Sequence, residues 1–381
     1  MLKGGGDKTY MREIKILHSA DLHLDSPFEG LGAGKAALRR SEQRELLSAL
    51  AELARREKAE LVLLAGDLLD SDNTYYETGE ELIKWLGQIP APVFIAPGNH
   101  DYYSPRSPYA RLKLPENVHL FTENTVECVE LPELGLRVFG AAFTEKRSRG
   151  LLQGFHADRK PGLLNVLCIH GEVGVRDSAY NPISLQELAE SGMDYVALGH
   201  IHKAGGLLKA GDCRYSWPGC PEGRGFDETG EKTVNLISLS GEDCRLDTFS
   251  IAGRRYEIMN VDVTGSDPLL AIHTQLPAET VSDIYRIILS GETEQSPDMT
   301  RLYSALSQMF FELQLRDETR LRRSVWERAG DDSLRGLFLM KLKARYDSAK
   351  TDQQRHAAEQ AARWGLAALD NMEEVAKHEN K

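Results

Sequence analysis

Short apolar runs recur along the first two-thirds of the chain, each followed by a polar loop. Residues 61–65 (LVLLA) are apolar without a break, the pattern of a strand covered on both faces. Residues 93–96 (VFIA), 138–142, 165–169 (NVLCI) and 195–198 (YVAL) repeat it, and residues 13–19 (EIKILHS) predict a strand running into a polar loop. Between them the period changes. Leu46, Leu47, Leu50, Leu53 and Ala54 share one face of a 3.6-residue repeat and predict a helix over 41–57. Residues 77–88 and 184–191 predict two more. Strands alternating with helices predict an α/β core. Residues 207–239 predict β-hairpins with Gly/Pro-rich turns, and the core is expected to end near Ile251.

Beyond Arg254 the pattern shifts. Strand-like segments at 256–263, 283–290 and 310–315 alternate with helical segments at 267–275 and 298–309, predicting a small α+β module. After Asp332 the chain reads as helical. Leu339, Leu342 and Tyr346 share one face; Ala358, Ala362, Leu366, Leu369 and Met372 share another. The expected domains are 11–251, 252–325 and 326–381.

A length of 381 residues exceeds one compact domain of ~100–200 residues. Hydrophobic residues at 41% and charged residues at 27% fit an ordinary globular protein. No apolar run approaches the ~18 residues of a membrane span. The opening MLKGGGDKTYMREIK lacks the apolar core of a secretory signal, and Met11 is an alternative start behind a glycine-rich tail. Five cysteines at unpatterned spacings predict reduced thiols and a cytoplasmic protein. The net charge of −12 argues against a surface coated with phosphate-binding charge. Residues 331–381 carry nine acids and nine bases, so the excess acidity lies earlier.

Chemistry concentrates where the strands end. Asp21 and His23 follow the first strand, Asp67 and Asp70 the second, and Asn99, His100 and Asp101 the third. His170 and Glu172 follow residues 165–169, while His200 and His202 follow residues 195–198. In α/β sheets this edge is where ligands bind. Asp21, His23, Asp67, Asn99, His170, His200 and His202 offer oxygen and imidazole without thiolate, a set suited to Mn, Fe or Zn. Seven donors exceed one tetrahedral site and fit two ions ~3.5–4 Å apart. Asp67, central in the order and preceded by Gly66, is expected to bridge them. One ion would take Asp21, His23, Asp67 and His202, the other Asp67, Asn99, His170 and His200. Two divalent ions outweigh two carboxylates, so a phosphodiester can approach despite the acidic chain. His100 is free to protonate a leaving alkoxide, with Asp101 fixing its tautomer. Asp70 and Glu172 are candidate acceptors for the outer imidazole nitrogens.

These clusters, D-x-H, G-D-x-x-D, G-N-H-D, H and G-H-x-H in that order over roughly 14–203, resemble the calcineurin-like metallophosphoesterase superfamily. The opening HSADLHLDSPFEGL, the GDLLD, the GNHD and the C-terminal extension narrow the resemblance to SbcD-type DNA repair nucleases, in particular a YhaO-like branch. The resemblance implies the same seven metal ligands, His100 as the leaving-group histidine and a β-sandwich flanked by helices over 11–251. It further implies an α+β capping domain, C-terminal helices that dock on an SbcC-like coiled-coil ATPase, DNA ends as substrate and a homodimer. The stretch GCPEGRGFDETGEK (219–232) is similar to the loop that closes the family's core. Two departures are Asp25, where better-known members carry Gly, and Tyr102, Tyr103 and Ser104 after GNHD.

Other features read more plainly. His18 is expected to be structural. Gly30 to Lys35 is no phosphate loop, since Glu29 and Ala36 stand where Gly and Ser/Thr are needed. Three basic clusters (Lys146, Arg147 and Arg149; Arg254 and Arg255; Arg320, Arg322 and Arg323) either contact phosphates or are solvated surface. Tyr102, Tyr103 and Tyr109 either stack on a base or pack. The leading expectation is a metal-dependent DNA exo/endonuclease acting in repair. The alternatives are a small-molecule or cyclic-nucleotide phosphodiesterase or phosphatase of the same superfamily, and a non-catalytic scaffold that binds DNA ends.

Overall fold

The computed structural model describes residues 12–378 except 72–73, 242 and 322–324; the side chains of 367 and 370–378, Met372 among them, also lie outside the description. The chain divides into two compact units. One comprises Met1–Met259, Pro277–Ile287 and Tyr303–Leu315; the other comprises Asn260–Leu276, Ile288–Leu302 and Arg316–Lys381.

The first unit is built on the strands β1 (Ile14–Ser19), β2 (Leu61–Leu64), β3 (Val93–Ile95), β4 (Val118–Leu120), β5 (Glu127–Leu131), β6 (Leu136–Gly140) and β7 (Leu164–His170). The short β8 (Glu172–Val173) and β9 (Pro182–Ile183) follow, then β10 (Tyr195–Gly199), β11 (Leu208–Ala210), β12 (Cys213–Ser216), β13 (Val234–Leu239) and β14 (Cys244–Phe249). Two six-stranded mixed sheets result, ordered β14-β13-β1-β2-β3-β4 and β11-β12-β10-β7-β6-β5. β1 to β4 run parallel, as do β6, β7, β10 and β12. Antiparallel strands finish each sheet.

The uninterrupted apolar runs now have a cause: each strand is covered twice. Ile16, Leu63, Phe94, Val166, Ala197 and Ile237 alternate into a core drawn from both sheets. On the opposite face of the first sheet, Leu17, Val62, Leu64 and Ile95 pack with Leu47 and Leu50 of α1 (Ala33–Glu57) and Leu82 of α2 (Tyr76–Gly87). The single turn α3 (Pro108–Arg111) comes next. Leu188 of α4 (Leu185–Glu190) packs with Leu167, Val196 and Leu198 on the outer face of the second sheet. The unit is therefore an α/β sandwich flanked by helices.

The helix predicted over 41–57 begins eight residues earlier. Its first turns escape the apolar repeat because Arg39 takes an inward position, fully buried and paired with Glu222 at 3.0 Å and Glu42 at 2.8 Å. His18, on β1, is structural. Its Nε2 donates to the Leu198 carbonyl (3.1 Å), so its Nδ1 accepts from the Tyr195 hydroxyl (2.8 Å). Tyr195 meets Ser216 Oγ (2.7 Å), which accepts from Asn235 Nδ2 (3.0 Å). This chain of hydrogen bonds crosses the apolar interior between the sheets with each of its side chains partnered.

The predicted strand-helix alternation after Arg254 is present as β15 (Tyr256–Asp262), α5 (Pro268–Gln275), β16 (Ile284–Ser290), β17 (Glu292–Thr293), α6 (Met299–Leu306), β18 (Glu312–Asp317) and β19 (Arg320–Leu321). Its main sheet runs β15-β16-β18. The boundary expected near Ile251 falls inside the first unit, and this run is shared between the two units. In the second unit, α7 (Leu334–Ser348) and α8 (Asp352–His378) pack as a hairpin that buries Leu339 and Ala362. No described helix is long and apolar enough to cross a membrane.

Candidate metal centre

The two sheets pinch together at the ends of β2 and β10. A Cβ on Gly199 would lie 1.9 Å from the Ala65 carbonyl oxygen, and one on Gly98 would lie 2.3 Å from Asp67 Oδ1. Only glycine lets these loops approach so closely. The chain then turns sharply, and the polar residues make the turns themselves. Asp21, His23, Asp67 and His200 have φ of 55°, 45°, 52° and 94°. Such backbone strain, on the order of 1–3 kcal/mol per residue, persists only where the surroundings impose it. Here backbone bonds do so: Asp21 N–H donates to the Gly66 carbonyl (3.0 Å) and His23 N–H to the Asp67 carbonyl (2.9 Å). His200 N–H donates to Asp21 Oδ1 (3.0 Å) and His100 N–H to Asp67 Oδ1 (2.8 Å).

The residues singled out from the sequence gather here. Asp21, His23, Asp67, Asn99 and His170 are buried, while His200 and His202 are half-buried. Donor atoms of Asp21, His23 and His202 lie within 4.8 Å of one another, as do those of Asp21, Asp67 and His170, and those of His23, Asp67 and His100.

Tautomers can be assigned from the outer partners. His23 Nδ1 lies 3.0 Å from Asp70 Oδ1, and His202 Nδ1 lies 2.7 Å from Glu228 Oε1. A carboxylate only accepts, so each Nδ1 carries the proton and each Nε2 of the neutral ring a lone pair; Arg224 Nη2, a donor 3.1 Å from His202 Nδ1, has the nearer Glu228 Oε1 as its acceptor at 2.7 Å. Those two lone pairs face each other across 3.2 Å. His170 repeats the pattern. Its Nδ1 donates to the Ala65 carbonyl (2.9 Å), and its Nε2 faces Asn99 Oδ1 at 3.0 Å and Asp67 Oδ2 at 3.4 Å. Acceptors aimed at acceptors in a buried pocket call for a positive charge between them, a proton or a metal ion. The charge balance agrees. Burial opposes charge on His170, yet Asp67 and Asp21 outweigh it and push its pKa up to about 9. Burial likewise opposes ionisation of Asp67, but His170, His23 and His100 hold it well below the usual carboxylate range. Asp21 is pushed up to about 6, chiefly by burial. This oxygen and nitrogen donor set fits divalent ions of the Mn, Fe or Zn kind.

Residues 14–204 match the model of the calcineurin-like phosphoesterase family. The chain belongs to that family. This phosphoesterase is 28% identical over 300 residues to the uncharacterized metallophosphoesterase YhaO of Bacillus subtilis (strain 168), covering 74% of this chain and 72% of the relative. The SbcD component of the SbcCD nuclease of the same organism is 26% identical over 277 residues, covering 60% of this chain and 68% of its own. The DNA double-strand break repair protein Mre11 of Saccharolobus solfataricus is 24% identical over 303 residues, covering 73% and 76%. Family membership makes the protein a metal-dependent phosphoesterase, a hydrolase.

Several expectations for this phosphoesterase need correction. Asp101 does not fix the tautomer of His100. Its buried carboxylate accepts from the backbone N–H of Gly98 (2.7 Å), Asp67 (3.1 Å), Leu68 (2.8 Å) and Leu69 (3.3 Å), tying two ligand loops together. Tyr109 is no base-stacking platform. It is buried, and its hydroxyl donates to Asp101 Oδ2 (2.6 Å). His100 is instead oriented by the Asp70 carbonyl, which takes its Nδ1–H at 3.1 Å. Asp70 braces His23 as expected. The other brace is Glu228, while Glu172 sits in β8.

Sequence reasoning missed Glu228 and its neighbour Arg224 because they lie in a loop without periodicity; an Arg and a Glu four apart in the GCPEGRGFDETGEK stretch were the available signal. It also missed Tyr180, whose ring packs on His200 with centroids 5.0 Å apart. Of the basic clusters, Arg254 is held by Glu42 (2.6 Å) and Arg255 by Asp283 (2.9 Å). Arg322 and Arg323 lie outside the described residues. Lys146, Arg147 and Arg149 are exposed.

Proposed function

We propose that this protein is a two-metal phosphodiesterase that cleaves DNA from its ends and works with an SbcC-like coiled-coil ATPase. The facing Nε2 atoms of His23 and His202, beside the Nε2 of His170 aimed at Asn99 and Asp67, support the reading. One ion is assigned to Asp21, His23, Asp67 and His202, the other to Asp67, Asn99, His170 and His200, with Asp67 shared. When bound, two divalent ions, Mn²⁺ for preference, would polarise the phosphoryl oxygens and make water a nucleophile near neutral pH. The chain's own residues do the rest. Asp101 fixes the Asp67 and Asn99 loops relative to each other. His100 stands against His23, ring centroids 4.7 Å apart, beside the ligands. With Nδ1 committed to the Asp70 carbonyl, its Nε2 is the atom that hands a proton to the leaving alkoxide.

A polymeric substrate and a partner are supported by the ~130 residues that follow the core and by relatives named as part of a nuclease and as a DNA break repair protein. Leu334, Leu337 and Met340 on α7 and Trp364 on α8 are exposed and suit a coiled-coil partner. Residues 252–325 are assigned a capping role over the DNA path.

The test is hydrolysis of linear duplex DNA and of bis-p-nitrophenyl phosphate with Mn²⁺ and with EDTA. Loss of DNA from its ends, abolished by EDTA, is expected. Cleavage of the small ester alone would favour a small-molecule phosphodiesterase. Metal uptake without any hydrolysis would leave a scaffold.

A further inference from the structure

Building on the two-metal reading, we infer that Arg224 and Glu228 are positioning residues that set one of the two ion sites and not the other. His23 and His202 are each braced from behind by a carboxylate, Asp70 and Glu228, and one guanidinium joins the braces. Arg224 Nη1 donates to Asp70 Oδ1 (3.2 Å), Nη2 to Glu228 Oε1 (2.7 Å) and Nε to Glu228 Oε2 (3.3 Å). The Arg224 backbone N–H also donates to Glu228 Oε2 (2.8 Å). A planar fork bound to two carboxylates fixes their separation. Through them it fixes the 3.2 Å between His23 Nε2 and His202 Nε2.

The clamp is itself anchored. Glu222 is paired with buried Arg39 at 3.0 Å, and Arg39 Nη2 donates to the Gly223 carbonyl at 3.3 Å.

The other half of the centre is built differently. Behind His170 stands the neutral Ala65 carbonyl, and Asn99 Oδ1 lies 3.1 Å from His200 Nδ1. No described hydrogen bond links these groups to Arg224. The directly hydrogen-bonded outer charge is therefore unequal: Asp70 and Glu228 against Arg224 leave −1 behind one pair of imidazoles, while the described partner of His170 Nδ1 is the neutral Ala65 carbonyl. A carboxylate behind an imidazole strengthens it as a donor. The site of His23 and His202 is accordingly the tighter of the two, and it alone depends on the clamp.

Calorimetric titration of the full chain with Mn²⁺ tests this. Wild type should show two unequal sites. In Arg224→Ala the tighter site should weaken about 10–100-fold, the scale for loss of an outer partner, while the weaker stays within about twofold of wild type. Arg224→Lys, which keeps the charge but not the fork, should recover only part of the loss. If Arg224→Ala does not fold, Glu228→Gln decides, because it is isosteric, keeps an acceptor for His202 and loses the charge; the same selective weakening is expected. Two unchanged sites, or equal loss at both, in a folded variant would overturn the inference. The two readings fail separately: a wild-type chain that takes up two Mn²⁺ but cleaves no phosphodiester overturns the nuclease reading and not the clamp.

Discussion

His100 and Asp101 are adjacent in sequence and do unrelated work. The ring of His100 sits beside the candidate donors with Nδ1 held by the Asp70 carbonyl, whereas the carboxylate of Asp101 is buried against the backbone N–H groups of two loops. Replacing His100 by Ala should therefore lower hydrolysis about 10²–10⁴-fold while leaving Mn²⁺ stoichiometry at the wild-type value, read by single-turnover kinetics and by titration. Loss of metal together with activity would make His100 a ligand, which its closeness to His23 and Asp67 allows. The donors were legible in the sequence because each follows an apolar strand, so their chemistry and convergence could be read together. The braces were legible only in part. Asp70 sits in the same motif as Asp67, but Glu228 and Arg224 lie in a loop whose fold depends on Arg39, and no local pattern announces it.

At the scale of the elements, the strands were legible from their continuous apolar runs, and α1 from the residue at which its leucine repeat begins. The return of β13 beside β1 was not, because that pairing joins Ile14 to Leu239 across most of the core and leaves no local signature. Two features of the sandwich give predictions. Gly199 meets the Ala65 carbonyl with no room for a Cβ, so Gly199→Ala should destabilise the protein by about 1–3 kcal/mol and weaken Mn²⁺ binding, read by urea unfolding and titration. The buried relay gives a pH dependence. Burial lowers the His18 pKa to about 3, the Leu198 carbonyl opposing only in part, against ~6.5 in an unfolded chain. The folded state thus refuses a proton that the unfolded state accepts. The stability His18 contributes is complete above pH ~6.5 and is lost as pH falls towards 3, at about 1.4 kcal/mol per pH unit for one proton. In EDTA, the stability advantage of wild type over His18→Gln should shrink from pH 7 to pH 4. An advantage that stays constant or grows would show that His18 titrates in the fold.

For the molecule as a whole, the proposed DNA substrate is a polyanion, whereas the chain carries a net charge of −12. On the two-metal proposal the resolution is local, with two divalent ions set against the carboxylates of Asp21 and Asp67. The surface proposed for a coiled-coil partner is assigned to the second unit, where the exposed apolar positions of α7 lie far along the chain from every candidate donor. Leu337→Glu with Met340→Glu should leave Mn²⁺ uptake and bis-p-nitrophenyl phosphate hydrolysis unchanged and abolish co-purification with the proposed SbcC-like ATPase. Retained co-purification would remove α7 from the interface. All of this rests on a dinuclear centre at the strand ends. Anomalous scattering from Mn²⁺-soaked crystals tests it most directly. Two peaks ~3.5–4 Å apart are expected, both within bonding distance of Asp67, one against His23 and His202 and the other against His170 and Asn99. A single peak, or peaks away from Asp67, would contradict the dinuclear centre.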